Sequence, residues 1–154
     1  MEENTYRNRN LRILFAVIIF SILSAAAVIK IVYPSPALGN FFFIISIFEM
    51  VLAVALALFW NRRSVWALAS LVFAAWGGYS LYAAIFGLPC QCLGVAVTLP
   101  RGISLGINVS MMVLSWKVLR DFGLATLKVS RLVFLTVVLF VVGFVSAYYL
   151  YIKF

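Results

Sequence analysis

Long apolar stretches alternate with short polar connectors along this chain, and the stretches show no strict two-residue alternation of character. Five runs are continuous enough to cross a bilayer as helices, at about residues 11–32, 41–60, 65–87, 103–118 and 132–152. A hydrocarbon core about 30 Å thick needs roughly 20 helical residues. The run at 103–118 is the shortest and suits a helix with little tilt or one partly embedded. Strands are disfavoured, because a lipid-facing barrel alternates apolar and polar positions with period two. The pattern predicts an all-α fold: a polytopic transmembrane helical bundle of about five spans, a four-helix core plus one. It forms one integral membrane domain over residues 1–154.

Composition strengthens this picture. Of the 154 residues, 66% are hydrophobic and 10% charged, whereas soluble domains run near 45–50% apolar and about 25% charged. Histidine is absent, which removes imidazole metal sites, Ser-His-Asp triads and His-based proton relays. The only acids are Glu2, Glu3, Glu49 and Asp121, leaving little for paired-carboxylate catalysis. A net charge of +8 raises the question of nucleic acid. The basic residues, however, are spread among the connectors rather than gathered in a soluble module, so membrane topology accounts for them.

The connectors set an expected orientation. Arg7, Arg9 and Arg12 precede the first run, Arg62 and Arg63 join the second to the third, and Lys117, Arg120, Lys128 and Arg131 flank the link between the fourth and fifth. The opposite side has only Arg101 and Lys153, with Lys30 inside the first run. The positive-inside rule then predicts a cytoplasmic N-terminus and a C-terminus outside. Trp60, Trp66 and Trp116 fall near the inner boundary, and Tyr33, Tyr148, Tyr149 and Tyr151 near the outer one. The first run, with its arginines and Ala25-Ala26-Ala27, has the outline of a signal peptide. It is longer than a usual h-region, so an uncleaved anchor is expected.

Polar groups at membrane depth usually face a bundle interior and often mark function. Glu49 lies midway along the second run, about 12 Å below its outer end. It is expected in the interior, as structural glue or as a proton-handling group. Lys30, in the last turn of the first run, is expected to snorkel to the headgroups; meeting Glu49 is the alternative. Asn108 suits a hydrogen bond between helices better than a ligand role. Gly77, Gly78, Ser104, Gly106 and Ser110 read as small residues permitting close helix approach. Trp76, Tyr79 and Tyr82 are expected as core packing, with a flat pocket for a quinone ring as the alternative.

Cys90 and Cys92 are the only cysteines, one residue apart in the segment after the third run, which the orientation places outside. That compartment lets disulfides persist. Bonding across one intervening residue strains the ring, and a strained, exposed disulfide exchanges readily. A clamp of that size would close almost no loop and stabilise little. Arg101 and the N-terminal dipole end of the next helix would both favour the thiolate. The pair therefore points to thiol–disulfide chemistry, with a soft-metal site for Cu(I) as the main competitor.

Lys30 then Pro34, Glu49, the stretch Pro89-Cys90-Gln91-Cys92-Leu93-Gly94 and Asn108 together resemble the MauE/DoxX-like family of redox-associated membrane proteins, over about residues 11–120. The Pro-Cys-X-Cys-(Leu/Phe)-Gly element is the most specific part, and Leu93 stands where phenylalanine is frequent. The resemblance implies a small helical bundle in the bacterial cytoplasmic membrane, beside a thioredoxin-like partner; the MauE branch is associated with methylamine-dehydrogenase maturation. By position, Cys90 and Cys92 would be the redox pair, with Glu49 and Lys30 the embedded polar pair beneath. The expected function is electron exchange between this pair and an extracytoplasmic thioredoxin-fold protein or thiol client, passing to or from a membrane carrier such as quinone. The competing expectations are thiophilic-metal binding or transport, and a non-catalytic membrane subunit of a maturation complex.

Overall fold

Apolar runs without internal proline leave helix as the form that satisfies every backbone N–H and C=O in lipid. The computed structural model describes residues 2–33, 39–88, 100, 102–122 and 126–153. They form five helices: α1 Glu2–Val32, α2 Gly39–Phe59, α3 Arg63–Ile85, α4 Ile103–Asp121 and α5 Thr126–Lys153. Three of them contain segments long and apolar enough to cross a membrane, Arg9–Val32, Arg63–Ile85 and Val129–Leu150, and α2 contributes the shorter apolar segment Phe43–Phe59. The protein is a multi-pass membrane helical bundle.

Helix ends differ from the sequence expectation where local chemistry intervenes. α1 extends back through its polar turns to Glu2, because no glycine or proline interrupts residues 2–10. α3 stops at Ile85 rather than at 87. Gly87 adopts φ 69°, and the Leu88 N–H reaches the Ala83 carbonyl at 2.9 Å, the geometry of a Schellman stop. α4 runs on to Asp121, and α5 starts at Thr126, so Arg131 belongs to a helix rather than to a connector.

α3 is the hub. It packs against α4 on one side and α5 on another, and touches α2; α1 pairs with α2 and meets α4, while among the described residues α5 packs against α3 alone. The all-α class and the five helices are those that the sequence led us to expect. The α3–α5 contact brings backbone against backbone. A Cβ on Gly78 would collide with the Phe140 carbonyl, and one on Gly143 with the Ala75 carbonyl. Small residues allow such approach in lipid, where dispersion between close surfaces drives association.

The apolar core is built from Ala16, Ile19 and Leu23 of α1, Leu52, Ala53 and Leu56 of α2, Trp66, Ala69 and Phe73 of α3, and Met111, Val118 and Leu119 of α4. The spacings of three and four put each set on one helix face. The outward faces are apolar too, as Ile44, Leu58, Phe134 and Val137 illustrate, which suits contact with lipid.

At the basic end, α1 and α4 clasp each other reciprocally. The Arg12 guanidinium lies 3.9 Å over the Phe122 ring and donates to the Asp121 carbonyl at 3.2 Å, while the Lys117 ammonium lies 5.9 Å over the Phe15 ring. Trp66, in the first turn of α3, is fully buried and donates its indole N–H to the Trp60 carbonyl at 2.7 Å. Its ring fills the core while its polar edge closes the α2–α3 turn.

Candidate functional site

The face that each core helix turns inward changes character along its length. Toward the end opposite the basic connectors, the apolar stripes give way to Lys30 on α1, Ser46 and Glu49 on α2, Ser80 on α3, and Ser104 and Asn108 on α4, all buried. Toward the basic end the buried polar groups of these helices are the hydroxyls of Ser70 and Ser115, so the buried charges and the amide lie at the other end. Residues 89–99, together with Arg101, join α3 to α4 at the polar end.

Lys30 donates from Nζ to Glu49 Oε1 and forms an ion pair with it. Cα–Cβ bonds tilt toward the N-terminus of their own helix. On α1 that direction carries Lys30 back into the bundle. On the antiparallel α2 it carries Glu49 toward the end where Lys30 sits. Opposite lean is what lets a residue two positions from the end of α1 meet one lying about 15 Å along α2. The expected snorkelling of Lys30 is thus corrected: the residue is 4% exposed, and a partner inside the bundle outcompetes the headgroups. The Lys30 ammonium also lies 5.5 Å from the centre of the Trp76 ring on α3, so three helices converge on this charge. Glu49 Oε2 is buried and has no hydrogen-bond partner among the described residues.

On α3, Ser80 lies one turn beyond Trp76 toward the polar end, on the same helix face. Its hydroxyl accepts from Asn108 Nδ2 at 2.9 Å and lies 3.1 Å from the Ser104 hydroxyl. Asn108 therefore bridges α4 to α3, as its sequence context led us to expect. Ser104 shares in that bridge. Gly106 and Ser110, read as packing residues, instead face outward from α4, and a Cβ on Gly106 would meet nothing within 4 Å.

The three aromatic candidates of α3 divide between neighbours. Trp76 is engaged by Lys30 and by the edge of Phe73 at 5.8 Å. Tyr82 sits among Phe86 at 4.4 Å, Phe144 at 5.2 Å and Tyr148 at 6.3 Å, toward α5. Tyr79, between them in sequence, is half-buried. Trp76 and Tyr82 do not frame a common slot for a flat ring.

Cys90, Cys92 and Arg101 lie outside the described residues. Their anchorages are described. The chain leaves α3 through the left-handed Gly87 and enters α4 through Gly102, at φ 87°, with the Ile103 N–H taken by the Pro100 carbonyl at 3.1 Å. Both positions favour glycine, since a Cβ is strained at positive φ. Gly87 follows α3 and Gly102 precedes α4 at the polar end of the bundle.

Sequence reasoning passed over Gly143, whose only signal is an isolated glycine in an apolar run, and the Arg12–Phe122 stack, which pairs residues far apart in the chain. No protein-family model matches the chain, and neither a curated protein nor a solved structure is significantly similar to it.

Proposed function

We propose that this bundle is a membrane thiol–disulfide redox protein of the MauE/DoxX-like kind, in which Cys90 and Cys92 exchange electrons with an extracytoplasmic thioredoxin-fold partner or thiol client. The observation that carries the reading is the buried Lys30–Glu49 ion pair, which with Asn108 lies toward the end of the bundle where α3 and α4 are joined by the cysteine segment. A bundle needing only to pack would gain nothing from a buried ion pair, which is costly in lipid and tends to mark function.

The proposed topology is five spans in the bacterial cytoplasmic membrane, with the basic end facing the cytoplasm. Arg9, Arg12, Arg62, Arg63, Lys117, Arg120 and Arg131 fall at that end, and the exposed rings of Tyr33, Tyr148 and Tyr149 at the other. The nineteen residues of α4 reach about 28 Å, close to the thickness of a hydrocarbon core. The cysteine segment then meets the periplasm or exterior, where disulfides persist.

In the proposed reaction a partner thiolate attacks one sulfur of the Cys90–Cys92 bond and forms a mixed disulfide. The partner's second thiol resolves it, leaving the partner oxidised and the pair reduced; the reverse direction uses the same steps. Arg101 and the α4 N-terminus favour the anionic sulfur that attacks or departs. Turnover requires a second two-electron couple, and a lipid-soluble quinone would take two protons with the electrons. Trp76 and Tyr82, whose alternative reading was a pocket for such a ring, contact different helices and do not fit it as one slot, and no step is assigned to it.

The test is thiol trapping of the intact protein in sealed vesicles with a membrane-impermeant maleimide, before and after reduction, followed by exchange with a reduced thioredoxin-fold protein. Labelling that requires prior reduction, from the outer side, together with exchange lost in Cys90→Ser and Cys92→Ser, is expected. Stoichiometric Cu(I) uptake without exchange would favour metal binding. Unchanged behaviour of both serine variants would favour a scaffolding subunit.

A further inference from the structure

The cations of the basic end differ in what surrounds them. Arg62 and Arg63 stand exposed at the turn between α2 and α3. Lys117 instead lies one helical turn, about 6 Å, in from the end of α4 at Asp121. It is exposed on the outward face of that helix, together with Val109, Val113 and Arg120 at spacings of three and four. Cα–Cβ bonds tilt toward the N-terminus of their own helix, which for α4 is the polar end. Lys117 therefore sets out away from the nearer surface, the reverse of what snorkelling needs. Its ammonium lies 5.9 Å over the ring of Phe15, across the seam between α1 and α4.

The seam holds an excess of positive charge. Arg12 is engaged by the Phe122 ring and the neutral Asp121 carbonyl, and its Nε is enclosed without a hydrogen-bond partner among the described residues. Among the described residues, no carboxylate pairs with Arg12, Lys117 or Arg120. Glu3 lies about 14 Å farther along α1 than Arg12, leaving Asp121 as the acid at this level. A charge facing lipid is costly unless a counter-charge reaches it.

The geometry points to a site for an anionic phospholipid at the α1–α4 seam, its headgroup phosphate held by Lys117 and Arg120 and its acyl chains laid along Val113 and Val109. Basic clusters between membrane helices recognise such headgroups. Phosphate oxygens accept charge-assisted hydrogen bonds from the ammonium and the guanidinium alike. A zwitterionic lipid brings its own cation, which competes for the phosphate and is repelled by both side chains; an anionic lipid brings none. Depth selects a lipid over a free anion. Acyl chains carry the phosphate to Lys117, whereas a soluble anion would have to leave water to reach it. The site stands independently of thiol exchange, since it uses no residue of that chemistry.

The test is titration of the purified protein in detergent with phosphatidylglycerol or phosphatidylcholine, with the first bound lipid counted by native mass spectrometry. The wild type is expected to bind phosphatidylglycerol the more tightly. A basic residue at a membrane surface is worth about fivefold in affinity for an anionic headgroup. Lys117→Gln and Arg120→Gln are each expected to weaken phosphatidylglycerol binding by about that factor and to leave phosphatidylcholine unchanged. Arg62→Gln/Arg63→Gln removes charge from the same end but not from the seam, and is expected to bind as the wild type does. Equal weakening in this control would assign the effect to the general field of the basic end and overturn the site, as would equal affinity of the wild type for the two lipids. Lys117→Arg/Arg120→Lys keeps both charges and is expected to retain binding, which separates loss of charge from loss of fold; failure of this variant would overturn recognition by charge. Glycerol phosphate, the headgroup chemistry without acyl chains, is expected not to displace the lipid. Displacement would assign the seam to a soluble anion and overturn the commitment to lipid.

Discussion

Lys30 of α1 and Glu49 of α2 point toward each other because their helices run in opposite directions, and they meet with 4% and 1% of their surfaces exposed. Neither charge has another described charge nearby, so each depends on the other for its place inside the bundle. The bundle interior at that level is organised around the pair, with the Trp76 ring as its third wall.

Removing either partner alone should therefore be severe. Lys30→Met and Glu49→Leu are each expected to lose about 3–5 kcal/mol of stability, since each leaves a buried charge without its mate. The double variant should regain most of that loss. Thermal or denaturant unfolding in detergent, arranged as a double-mutant cycle, reads the coupling. Additive losses would show that the two side chains act separately.

The glycines of the α3–α5 contact carry a second expectation. Gly78→Ala and Gly143→Ala each drive a methyl group into an opposing backbone carbonyl. Overpacking of this kind typically costs about 1–3 kcal/mol. Gly106→Ala on the open face of α4 should be neutral or stabilising by up to about 1 kcal/mol, because alanine is the better helix former. Protease sensitivity of the link between α4 and α5 would report displacement of α5 in the first two variants and not in the third.

Asn108 and Ser80 supply a third. Replacing Asn108 with leucine breaks the 2.9 Å bond to α3. Hydrogen bonds between helices in membranes average about 0.6 kcal/mol and reach about 1.7. Asn108→Leu and Ser80→Ala should each destabilise within that range, and together by less than the sum. A cycle showing no coupling would remove the bridge from the account of how α4 is held.

At the basic end, Arg12→Gln should weaken the attachment of α1 to α4. It loses the stack on Phe122 and the bond to the Asp121 carbonyl, together worth about 1–3 kcal/mol. Lys117→Gln should lose less than Arg12→Gln, since its ammonium lies farther from the Phe15 ring. Equal effects would mean that charge alone, without stacking, governs this contact.

Much of the architecture was legible because lipid enforces length and polarity so strictly. The all-α class and the five helices follow from run lengths and connectors. Glu49 could be placed in the interior because a carboxylate has nowhere else to go at that depth. Lys30 was harder: its long stem allows either escape to the surface or return to the core, and only the antiparallel placement of α2 decides between them. Trp66 shows the same limit, since position near a bilayer boundary does not reveal which way a ring turns. Gly143 and Arg12 depend on pairings between distant segments, and no local pattern encodes those. The cysteine pair stood out in the sequence by spacing alone.

Among the described residues α5 packs against α3 alone, and this has a consequence for biosynthesis. The ribosome releases α1 to α4 first, and among the described residues their polar contacts need nothing from the last helix. Until that helix is threaded into the bilayer, the glycine face of α3 is left to lipid tails. Docking of α5 displaces those tails, and among the described residues the Lys30–Glu49 pair and the Asn108–Ser80 bond do not depend on it. The contacts that α5 adds thus come from a helix made after those that hold the charged pair.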